Sequence, residues 1–413
     1  MPANQPSDDR QYDLIVWGAS GFTGRLVVEY LADRYPPGGD LNWAVGGRNR
    51  AKLEKVLSEI EFPTDRPDII VADSHDNDSM RGLAIKTAVI LSTVGPYARY
   101  GSELLKACAE NGTHYCDLCG EVQWMHQMID RHQATAEKSG ARLVMSCGFD
   151  SIPSDIGVLC LHEHAERIHS EKCSEMTLLV RAMKGGASGG TFDSMLNAIE
   201  EARRDKNIVR ILLDPYALNP DGARTGPDGR DQDNPVYDED IQSWTAPFVM
   251  ARVNTRVVRR SNALLGYRYG KDFRYHEATL SGAGFGGRMK SLLMSWGLKM
   301  FVIASAIPFT RNTIVRKSLP KPGQGPSREE RENGYFNLLL LGKMPDGKLM
   351  RLRIKGDRDP GYGSTSKMLA ESAICLAKDE LTVGGGCWTP ASAMGTVLRD
   401  RLTSNAGLSF ELE

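Results

Sequence analysis

Short apolar runs alternate with longer amphipathic stretches through the first 150 residues of the chain. After the first run, Leu26, Val27, Tyr30 and Leu31 recur at helical spacing. The runs that this pattern predicts as strands are residues 14–17, 41–45, 68–73, 87–97, 114–118 and 141–146. Helical stretches separate the runs, as in a doubly wound parallel sheet. The sequence therefore predicts an α/β protein.

Three glycines at three-residue spacing connect the first predicted strand to the first helix. Gly18 permits a tight turn, Gly21 lets backbone N–H groups approach a pyrophosphate, and Gly24 lets the helix pack closely on the strand. The N-terminus of that helix adds positive potential for phosphates. A glycine-rich turn without a ligand would explain the spacing alone. Together with the regular strand–helix alternation, the spacing favours a dinucleotide-binding Rossmann domain over residues 1–150.

The residues after the second strand bear on the choice between the two nicotinamide cofactors. In NAD sites an acidic residue about 20 positions past the glycines accepts from the ribose 2′-OH. Here the second strand ends without an acid, and Arg48 follows Gly24 by 24 residues. A guanidinium can bind a 2′-phosphate with two hydrogen bonds, so the sequence favours NADP over NAD. The alternative is that these arginines are solvated charges at the start of a helix, which explains Arg50 better than Arg48.

Ligands of open parallel sheets lie outside the carboxyl ends of the strands. Asp73 ends the third run, where an adenine amino group would pass, and residues 94–96 follow the fourth. The predicted cofactor-binding residues are Gly18, Ala19, Ser20, Gly21, Phe22, Thr23, Gly24, Arg48, Asn49, Lys52, Asp73, Val94, Gly95 and Pro96.

Several short motifs occur along nearly the whole chain. They are Gly-Ala-Ser-Gly-Phe-Thr-Gly (18–24), Gly-Arg-Asn (47–49), Val-Gly-Pro-Tyr (94–97), Gly-Thr-His-Tyr-Cys-Asp-Leu (112–118), Cys-Gly-Phe-Asp-Ser-Ile-Pro-Ser-Asp (147–155), Ser-Gly-Gly-Thr (188–191), Gly-Tyr (361–362), Thr-Pro-Ala (389–391) and Ala-Met-Gly (393–395). In combination they resemble the saccharopine dehydrogenase-like oxidoreductases and are most similar to the trans-acting enoyl reductase branch. The resemblance implies a Rossmann domain followed by an α+β domain, a nicotinamide cofactor, and reduction of a carbon–carbon double bond in a chain tethered to a polyketide or fatty-acid-type synthase.

Reduction would require a group that places a proton beside the carbon that receives the hydride. Tyr97, Tyr115 and Asp117 are the candidates, because they stand at the ends of the fourth and fifth strands. Either tyrosine could donate a proton or polarise a carbonyl, and Asp117 would orient a neighbour. For each of them, structural hydrogen bonding at a strand end is the alternative.

Two other functions are compatible with the same sequence. A saccharopine- or opine-type C–N dehydrogenase would need arginines converging on substrate carboxylates, for which Arg268, Arg274 and Arg288 are candidates. A non-catalytic NADP-binding scaffold associated with lipid is the other alternative. The apolar segment described below suits an enoyl substrate better than an amino acid.

The strand–helix alternation stops after residue 150. An α+β domain for substrate binding and dimerisation is predicted over 151–363, and helices over 364–413 are expected to pack back towards the first domain. The predicted elements of the α+β domain are strands 176–181 and 273–281, helix 192–204 capped by Thr191, a long surface loop 214–240, and a hairpin of strands 335–341 and 348–355. The Ser188–Thr191 motif could hold a substrate anion or merely begin a helix.

Residues 291–310 form an apolar segment with 13 large or apolar residues in 20, flanked by Arg288, Lys290, Arg311 and Arg316. Lys299 and a proline argue against a membrane-spanning helix. The segment is expected to be a buried or dimer-interface helix, or an amphipathic helix lying on lipid. Either arrangement would supply an apolar wall for a greasy substrate.

Composition narrows the class of protein further. A chain of 413 residues favours two domains, and a net charge of −1 without a long basic run gives no support for a nucleic-acid partner. The first eleven residues lack an apolar stretch and the eight cysteines are scattered, as expected for a cytoplasmic protein. No metal site is expected, because Cys116 and Cys119 have no second pair to complete one. The expected substrate is a small-molecule or acyl chain, which could be carrier-tethered, and a homodimer is expected from the resemblance and the apolar segment.

Overall fold

The computed structural model describes residues 10–186, 189–319 and 324–413. Within them the chain divides into two compact units. The first contains residues 10–152, 324–325 and 361–407, and the second contains 153–186, 189–319, 326–360 and 408–413. Each unit is built around one seven-stranded sheet.

The strands of the described residues are β1 Tyr12–Trp17, β2 Trp43–Gly47, β3 Asp68–Val71, β4 Thr87–Ser92, β5 His114–Asp117, β6 Arg142–Val144, β7 Glu175–Lys184, β8 Val236–Asp238, β9 Ser243–Pro247, β10 Arg274–Gly282, β11 Tyr335–Lys343, β12 Leu349–Gly356, β13 Gly386–Trp388 and β14 Leu408–Leu412. The helices are α1 Phe22–Arg34, α2 Arg50–Ser58, α3 Asn77–Ala84, α4 Tyr97–Tyr100, α5 Ser102–Asn111, α6 Val122–Ser139, α7 Ile152–His169, α8 Gly189–Arg204, α9 Lys206–Leu213, α10 Ala251–Leu264, α11 Gly284–Ala306, α12 Pro308–Thr310, α13 Arg316–Ser318, α14 Arg328–Glu332, α15 Thr365–Lys378, α16 Pro390–Ala393 and α17 Gly395–Asn405. Two further segments, Arg311–Val315 and Pro360–Ser364, are π-helical.

The first unit is organised by a parallel sheet with the strand order β3-β2-β1-β4-β5-β6-β13. Val16 of the central strand lies opposite Val45 on one side and Leu91 on the other, and all three are fully buried. A parallel strand in such a sheet reads as a continuous apolar run because helices cover both of its faces. The predicted fold class, a doubly wound parallel sheet followed by an α+β unit, is confirmed.

The sequence pattern does not predict β13, the seventh strand of this sheet. The strand pairs with β6, placing Gly386 opposite Arg142, although the two are far apart in the chain. Gly386 has a φ of +143°, and Cys387 beside it is fully buried. Three residues are too few to show a strand period, so only the pairing partner reveals the strand.

The longest helices within the predicted helical region 364–413 are α15 and α17, which belong to the first unit. Helix α15 packs on β1, β4 and β5. Its Glu371 is fully buried, accepts from the Tyr30 hydroxyl at 2.6 Å and pairs with Arg401 at 3.2 Å. A buried carboxylate needs such partners, so this cluster fixes α15 against α1 and α17.

The second unit contains a mixed sheet with the strand order β14-β12-β11-β7-β10-β9-β8. Strands β7 and β10 pair in parallel, whereas the other neighbours pair antiparallel. The hairpin predicted around Gly347 is confirmed as β11 and β12. Helix α7, which the sequence pattern does not predict, comes so close to this sheet that a Cβ on Gly157 would lie 2.5 Å from Ile354.

Helix α10 makes buried ion pairs with the segment that precedes β9. The prediction of a long surface loop at 214–240 is wrong for the part that contacts this helix, because buried ion pairs hold it there. The Arg259 guanidinium donates from Nε to Asp228 Oδ2 at 2.6 Å, and Arg256 pairs with Asp231. The side chains of Arg259 and Asp228 are almost completely buried. The acidic residues that suggest a solvated loop are instead the partners of buried arginines.

The predicted start of the next helix is also corrected. Helix α8 begins at Gly189, so Thr191 lies in its first turn and is not the N-cap. Ser188 lies outside the described residues, so an anion site at this motif stays a prediction.

A buried carboxyl group on β10 gives the second unit a pH-dependent stability. Glu277 accepts from Asn254 Nδ2 at 2.9 Å and from the Tyr275 hydroxyl at 2.8 Å. Burial raises the pKa of Glu277 from 4.5 to about 7, although hydrogen bonds from Ser154, Tyr275 and Asn254 oppose that rise. The folded protein therefore retains a proton that the unfolded chain loses between these two values.

We expect the free energy of unfolding to fall as the pH rises from about 4.5 to about 7, with Glu277 contributing on the order of 1 kcal/mol or more. In Glu277→Gln this contribution to the slope should disappear, because an amide does not titrate. Urea denaturation at several pH values measures both curves. Parallel curves for the two proteins would contradict the assignment.

Candidate cofactor-binding site

Glycines shape the turn between β1 and α1. Gly18 has a φ of +91°, and its N–H donates to the Gly46 carbonyl at 2.9 Å. The Gly21 N–H donates to the Gly18 carbonyl at 2.8 Å, and the Thr93 hydroxyl donates to the same oxygen at 3.2 Å. A Cβ on Gly24 would lie 2.2 Å from that oxygen. Backbone conformation at Gly18 and close approach at Gly24 therefore both require glycine.

The N-terminus of α1 is suited to an anion. Gly21 is the N-cap, no side chain caps the helix, and its first turn contains no acidic residue. Ser20 and Gly21 are exposed, whereas Arg25 in the next turn is paired with Glu29 at 2.9 Å and Glu59 at 2.6 Å. Helix N-termini present backbone N–H groups and a positive dipole end, so a pyrophosphate fits here.

The other residues of the glycine motif support the turn. Ala19 is buried, and its N–H donates to the Gly46 carbonyl at 3.2 Å. The Phe22 ring lies edge-on to the Tyr362 ring, with 5.1 Å between the ring centroids, and Thr23 is half-buried. The Phe22 contact joins two motifs that are more than 300 residues apart in the chain.

Arg48 is exposed and directly follows β2, at the carboxyl end of that strand. Its Cζ is 6.0 Å from the centroid of the Tyr100 ring, which is itself 5.5 Å from the His75 ring. Among the described residues Arg48 makes no ion pair with an acid, and cation–π contact leaves the donors of a guanidinium pointing outward. The sequence pattern does not point to Tyr100 and His75, because single aromatic residues, one at the end of the short helix α4 and one in a loop, carry no periodic pattern.

Three other predicted cofactor residues lie nearby in the sequence of elements: Asn49 precedes α2, Lys52 lies in its first turn and Asp73 follows β3. Asn49 caps α2, since its Oδ1 accepts from the Lys52 N–H at 3.0 Å. Asp73 Oδ1 accepts from the His75 N–H at 3.1 Å and turns the chain after β3. The Lys52 and Asp73 side chains are exposed. Direct contact of these residues with the cofactor stays a prediction.

The turn after β4, residues 94–96, leads directly into α4. The carboxylate of Glu121 caps that helix, accepting from the Tyr97 N–H at 2.8 Å and from the Ala98 N–H at 3.0 Å. Glu121 is buried and precedes α6, so in sequence it resembles an ordinary acid at a helix start. In the structure it fixes the neighbouring turn.

The three candidate catalytic residues are all buried. The Tyr97 hydroxyl donates to the Ser92 carbonyl at 3.0 Å, and the Tyr115 hydroxyl donates to Asp117 Oδ2 at 2.9 Å. Burial raises the pKa of both tyrosines. Their hydroxyls are engaged within the protein, which favours a positioning role, and proton donation by either stays a prediction.

Asp117 ties the ends of two adjacent strands together. Its Oδ1 accepts from the Cys119 N–H at 2.9 Å and from the Ser146 N–H at 3.0 Å. Burial raises the pKa of Asp117 to about 7, although these N–H groups oppose that rise. Ser146 has a φ of +64°, unusual for a residue with a side chain, and its hydroxyl donates to the Cys119 carbonyl at 2.7 Å. The loop after β6 is therefore fixed to the end of β5.

The arginines required by the C–N dehydrogenase alternative have separate partners. Arg268 pairs with Glu166 at 3.2 Å, and Arg288 lies over the Trp244 ring at 5.4 Å from its centroid. Arg274 begins β10 and is exposed. These contacts give no support to a shared carboxylate-binding cluster.

Cysteine and metal chemistry have little support in the described part of the chain. There, no group of three or more His, Cys, Asp or Glu side chains could hold a metal ion. Cys116 and Cys119 are fully buried free thiols, and burial raises the pKa of both. A buried thiol of raised pKa is a poor nucleophile, so these residues are part of the core.

The parallel sheet, its glycine turn and the uncapped helix behind that turn define a dinucleotide-dependent oxidoreductase. Residues 14–144 match the family model described as the saccharopine dehydrogenase NADP-binding domain. The cofactor is therefore NADP, as the absence of an acid after β2 predicts.

Relatives are similar over nearly the whole chain. A Mycobacterium tuberculosis protein assigned as a trans-acting enoyl reductase is 39% identical over 412 residues, which cover 97% of each chain. The trans-acting enoyl reductase of Mycobacterium ulcerans is 35% identical over 414 residues, covering 96% of each chain. The chain belongs to the trans-acting enoyl reductase family, and its own first domain is of the saccharopine dehydrogenase type.

A solved structure gives the same fold. Apo saccharopine dehydrogenase (L-Glu forming) from Saccharomyces cerevisiae has a TM-score of 0.54 and 11% sequence identity, and the match covers 97% of this chain and 99% of that one. At this identity the likeness concerns the fold and not the substrate.

Proposed function

We propose that the protein reduces the carbon–carbon double bond of an enoyl group in a lipid- or polyketide-like substrate, using NADPH. Nearly full-length similarity to trans-acting enoyl reductases carries this proposal. The glycine turn, with its uncapped helix N-terminus, supports the cofactor half of it. The separate partners of Arg268 and Arg288 favour this substrate over an amino acid.

Each part of the cofactor has a group in this chain to receive it. The helix start at Gly21 would hold the pyrophosphate, Arg48 and Lys52 the 2′-phosphate, Asp73 the adenine, and residues 94–96 the nicotinamide side. When bound, NADPH supplies the hydride. The chain's own contribution is to hold the acceptor carbon against it and to exclude water.

Replacing Arg48 with alanine should raise the dissociation constant for NADPH by about 10- to 100-fold, because a charge-assisted hydrogen bond contributes about 1.5 to 3 kcal/mol. NADH has no 2′-phosphate, so its affinity should be unchanged. Fluorescence titration with both nucleotides measures the difference.

Arg50→Ala is the matched control for this experiment. Arg50 is exposed, begins α2 and lies 3.8 Å from Glu54, so its loss should leave both affinities as they are. Equal weakening of NADPH and NADH by Arg48→Ala would contradict the role given to Arg48.

We further propose that Asp117 is a positioning residue. Its hydrogen bonds to the ends of β5 and β6 would hold the loop after β6 in place, while Tyr97 and Tyr115 are the candidate proton donors from this cluster. The second unit would bind the acyl chain, which could be carrier-tethered, and the protein would act as a cytoplasmic homodimer.

The reaction is tested by following NADPH consumption with enoyl thioesters, on pantetheine and on carrier protein, against pairs of amino acid and 2-oxoacid. Consumption with the thioesters alone is expected. Consumption with amino-acid pairs alone would replace the proposal by the C–N dehydrogenase. Binding of NADPH without consumption in either set would favour the non-catalytic scaffold.

A further inference from the structure

Helix α11, which contains most of the apolar segment, turns its small residues inward. Gly287, Ser291 and Ser295 are buried, and the Ser291 hydroxyl donates to the Thr245 carbonyl on β9 at 2.6 Å. A Cβ on Gly287 would lie 1.9 Å from the Gly282 carbonyl oxygen, so the helix backbone lies directly on the chain after β10. Burial within the chain, one part of the first expectation for this segment, therefore applies only to the face with the small residues.

Several of the largest apolar side chains of α11 face outward, whereas others, such as Phe301 beside Phe192, are half-buried. Phe285 is 78% exposed, Leu293 is 68% exposed and Trp296 is 64% exposed. Of the seven exposed large apolar side chains of α11, Val302 (36% exposed) lies apart, and the other six are Phe285, Met289, Leu293, Trp296, Met300 and Ile303. At about 3.6 residues per turn these six lie in one sector about 80° wide, opposite the buried glycine and serines. We name these six residues the apolar ridge. Single exposed apolar residues are ordinary, but a continuous row on one helix marks an interaction surface.

Cations flank the apolar ridge. On the helical wheel Lys290 lies on one side of it, and Arg288 and Lys299 lie on the other. Between Glu277 and Glu329 the chain has eight Lys and Arg residues and no Asp or Glu. The whole chain has a net charge of −1, so this basic stretch is a local feature.

The charge pattern distinguishes between two partners of the apolar ridge. In a two-fold dimer the same patch meets itself, so the cations beside the ridge would face each other without an acid in the segment to pair with them. Anionic lipid headgroups would pair with those cations while the acyl region received the ridge. The pattern favours a lipid surface.

The geometry of the segment agrees with a helix lying on the surface. Among the described residues no single helix is long and apolar enough to span a membrane. Helix α11 reaches the required length and apolar content only together with Pro308–Ser318, and the two segments meet at a bend of 96°. Just beyond α11, Ile307 and Phe309 are also exposed, Phe309 by 74%.

We propose that α11 docks the protein on an anionic bilayer surface, with the apolar ridge in the headgroup–acyl boundary and its flanking cations on the phosphates. This function goes beyond enoyl reduction and does not depend on it. It would bring the protein to the phase in which long acyl chains reside.

Flotation of the full chain with vesicles tests the proposal. Binding is expected to vesicles of phosphatidylcholine and phosphatidylglycerol in equal amounts, weakly or not at all to phosphatidylcholine alone, and less at high salt. Replacing Leu293 and Trp296 together with serine should weaken binding by about 10-fold or more. Replacing Arg288 and Lys290 with glutamine should weaken binding to the anionic vesicles by about fivefold for each charge removed. Binding to phosphatidylcholine vesicles should not change.

Ile168→Ser is the matched control, because Ile168 is 51% exposed on α7, outside the apolar ridge, and its loss should not affect binding. Brominated lipids should quench part of the tryptophan fluorescence of the wild type, and Trp296→Phe should remove that part. This second readout remains usable if the double serine variant does not fold.

Three results would overturn the proposal. They are failure of the wild type to float with anionic vesicles, flotation that the ridge substitutions leave unchanged, and a dimer in sedimentation that Leu293→Ser dissociates. The last would assign the apolar ridge to a second copy of the chain. None of these assays contains NADPH, so a failed reductase assay leaves them unaffected.

Discussion

Replacing Gly21 with valine is expected to raise the dissociation constant for NADPH by about 100-fold or more, because two or more charge-assisted hydrogen bonds of about 1.5 to 3 kcal/mol each would be lost. Gly21 is exposed at the start of α1, where a branched side chain would stand between the backbone N–H groups and the pyrophosphate. Isothermal titration calorimetry with NADPH measures the loss.

The fold should survive this substitution. Gly21 has an extended backbone that valine also adopts, and its added Cβ would approach only the Gly18 carbonyl, at 3.2 Å. Gly82→Val is the control, since a Cβ there meets nothing within 4 Å. Wild-type affinity in Gly21→Val would show that phosphates do not bind at this helix start.

Replacing Arg259 with methionine is expected to lower the free energy of unfolding by about 3 to 5 kcal/mol, because it leaves a buried carboxylate without its cation. Asp228 would retain long hydrogen bonds of 3.3 Å from the Tyr275 N–H, a side-chain hydrogen bond with Tyr216 and a distant His276 ring at 3.8 Å, which do not replace the guanidinium. Denaturation in urea measures the change.

Arg204→Met provides the comparison, since Arg204 pairs with Glu200 on an exposed helix surface and its loss should cost less than about 1 kcal/mol. In Arg259→Met, replacing Asp228 with leucine should restore part of the stability, because no buried charge then remains. A small effect of Arg259→Met would mean that residues 214–240 contribute little to the core of the second unit.

The sequence predicts the first sheet well because its signals are local. Most of the six strands β1 to β6 are short apolar runs beside a helix of regular period, and the glycine turn occupies the expected place between the first two elements. Gly18 is required by its positive φ and Gly24 by its approach to the Gly18 carbonyl, and both features belong to the turn itself, which a motif records.

The elements that the sequence misses depend on distant partners. Strand β13 is three residues long and exists by pairing with β6, and β14 pairs with β12 after a long separation. Helix α10 carries arginines where a buried face would normally be apolar, because its partners Asp228 and Asp231 come from the preceding segment. Local periodicity cannot show such pairings.

Part of the candidate site is likewise local and predictable, and part depends on distant residues. The phosphate-binding turn follows from spacing, whereas the surroundings of Asp117 do not. Its hydrogen bonds to Cys119 and Ser146, and the capping of α4 by Glu121, join residues from different strand ends. Apolar content alone also misjudges α11, because small side chains line its buried face while six large apolar ones are exposed along the opposite face.

Transfer of deuterium tests the central claim most directly. The protein would be incubated with an enoyl thioester and NADPH carrying deuterium on either face of the nicotinamide C4, and the product examined by mass spectrometry. We predict a saturated thioester that carries one deuterium on the former double bond, from one face only. Saturated product without label from either face, or no reduction while NADPH is bound, would contradict the account.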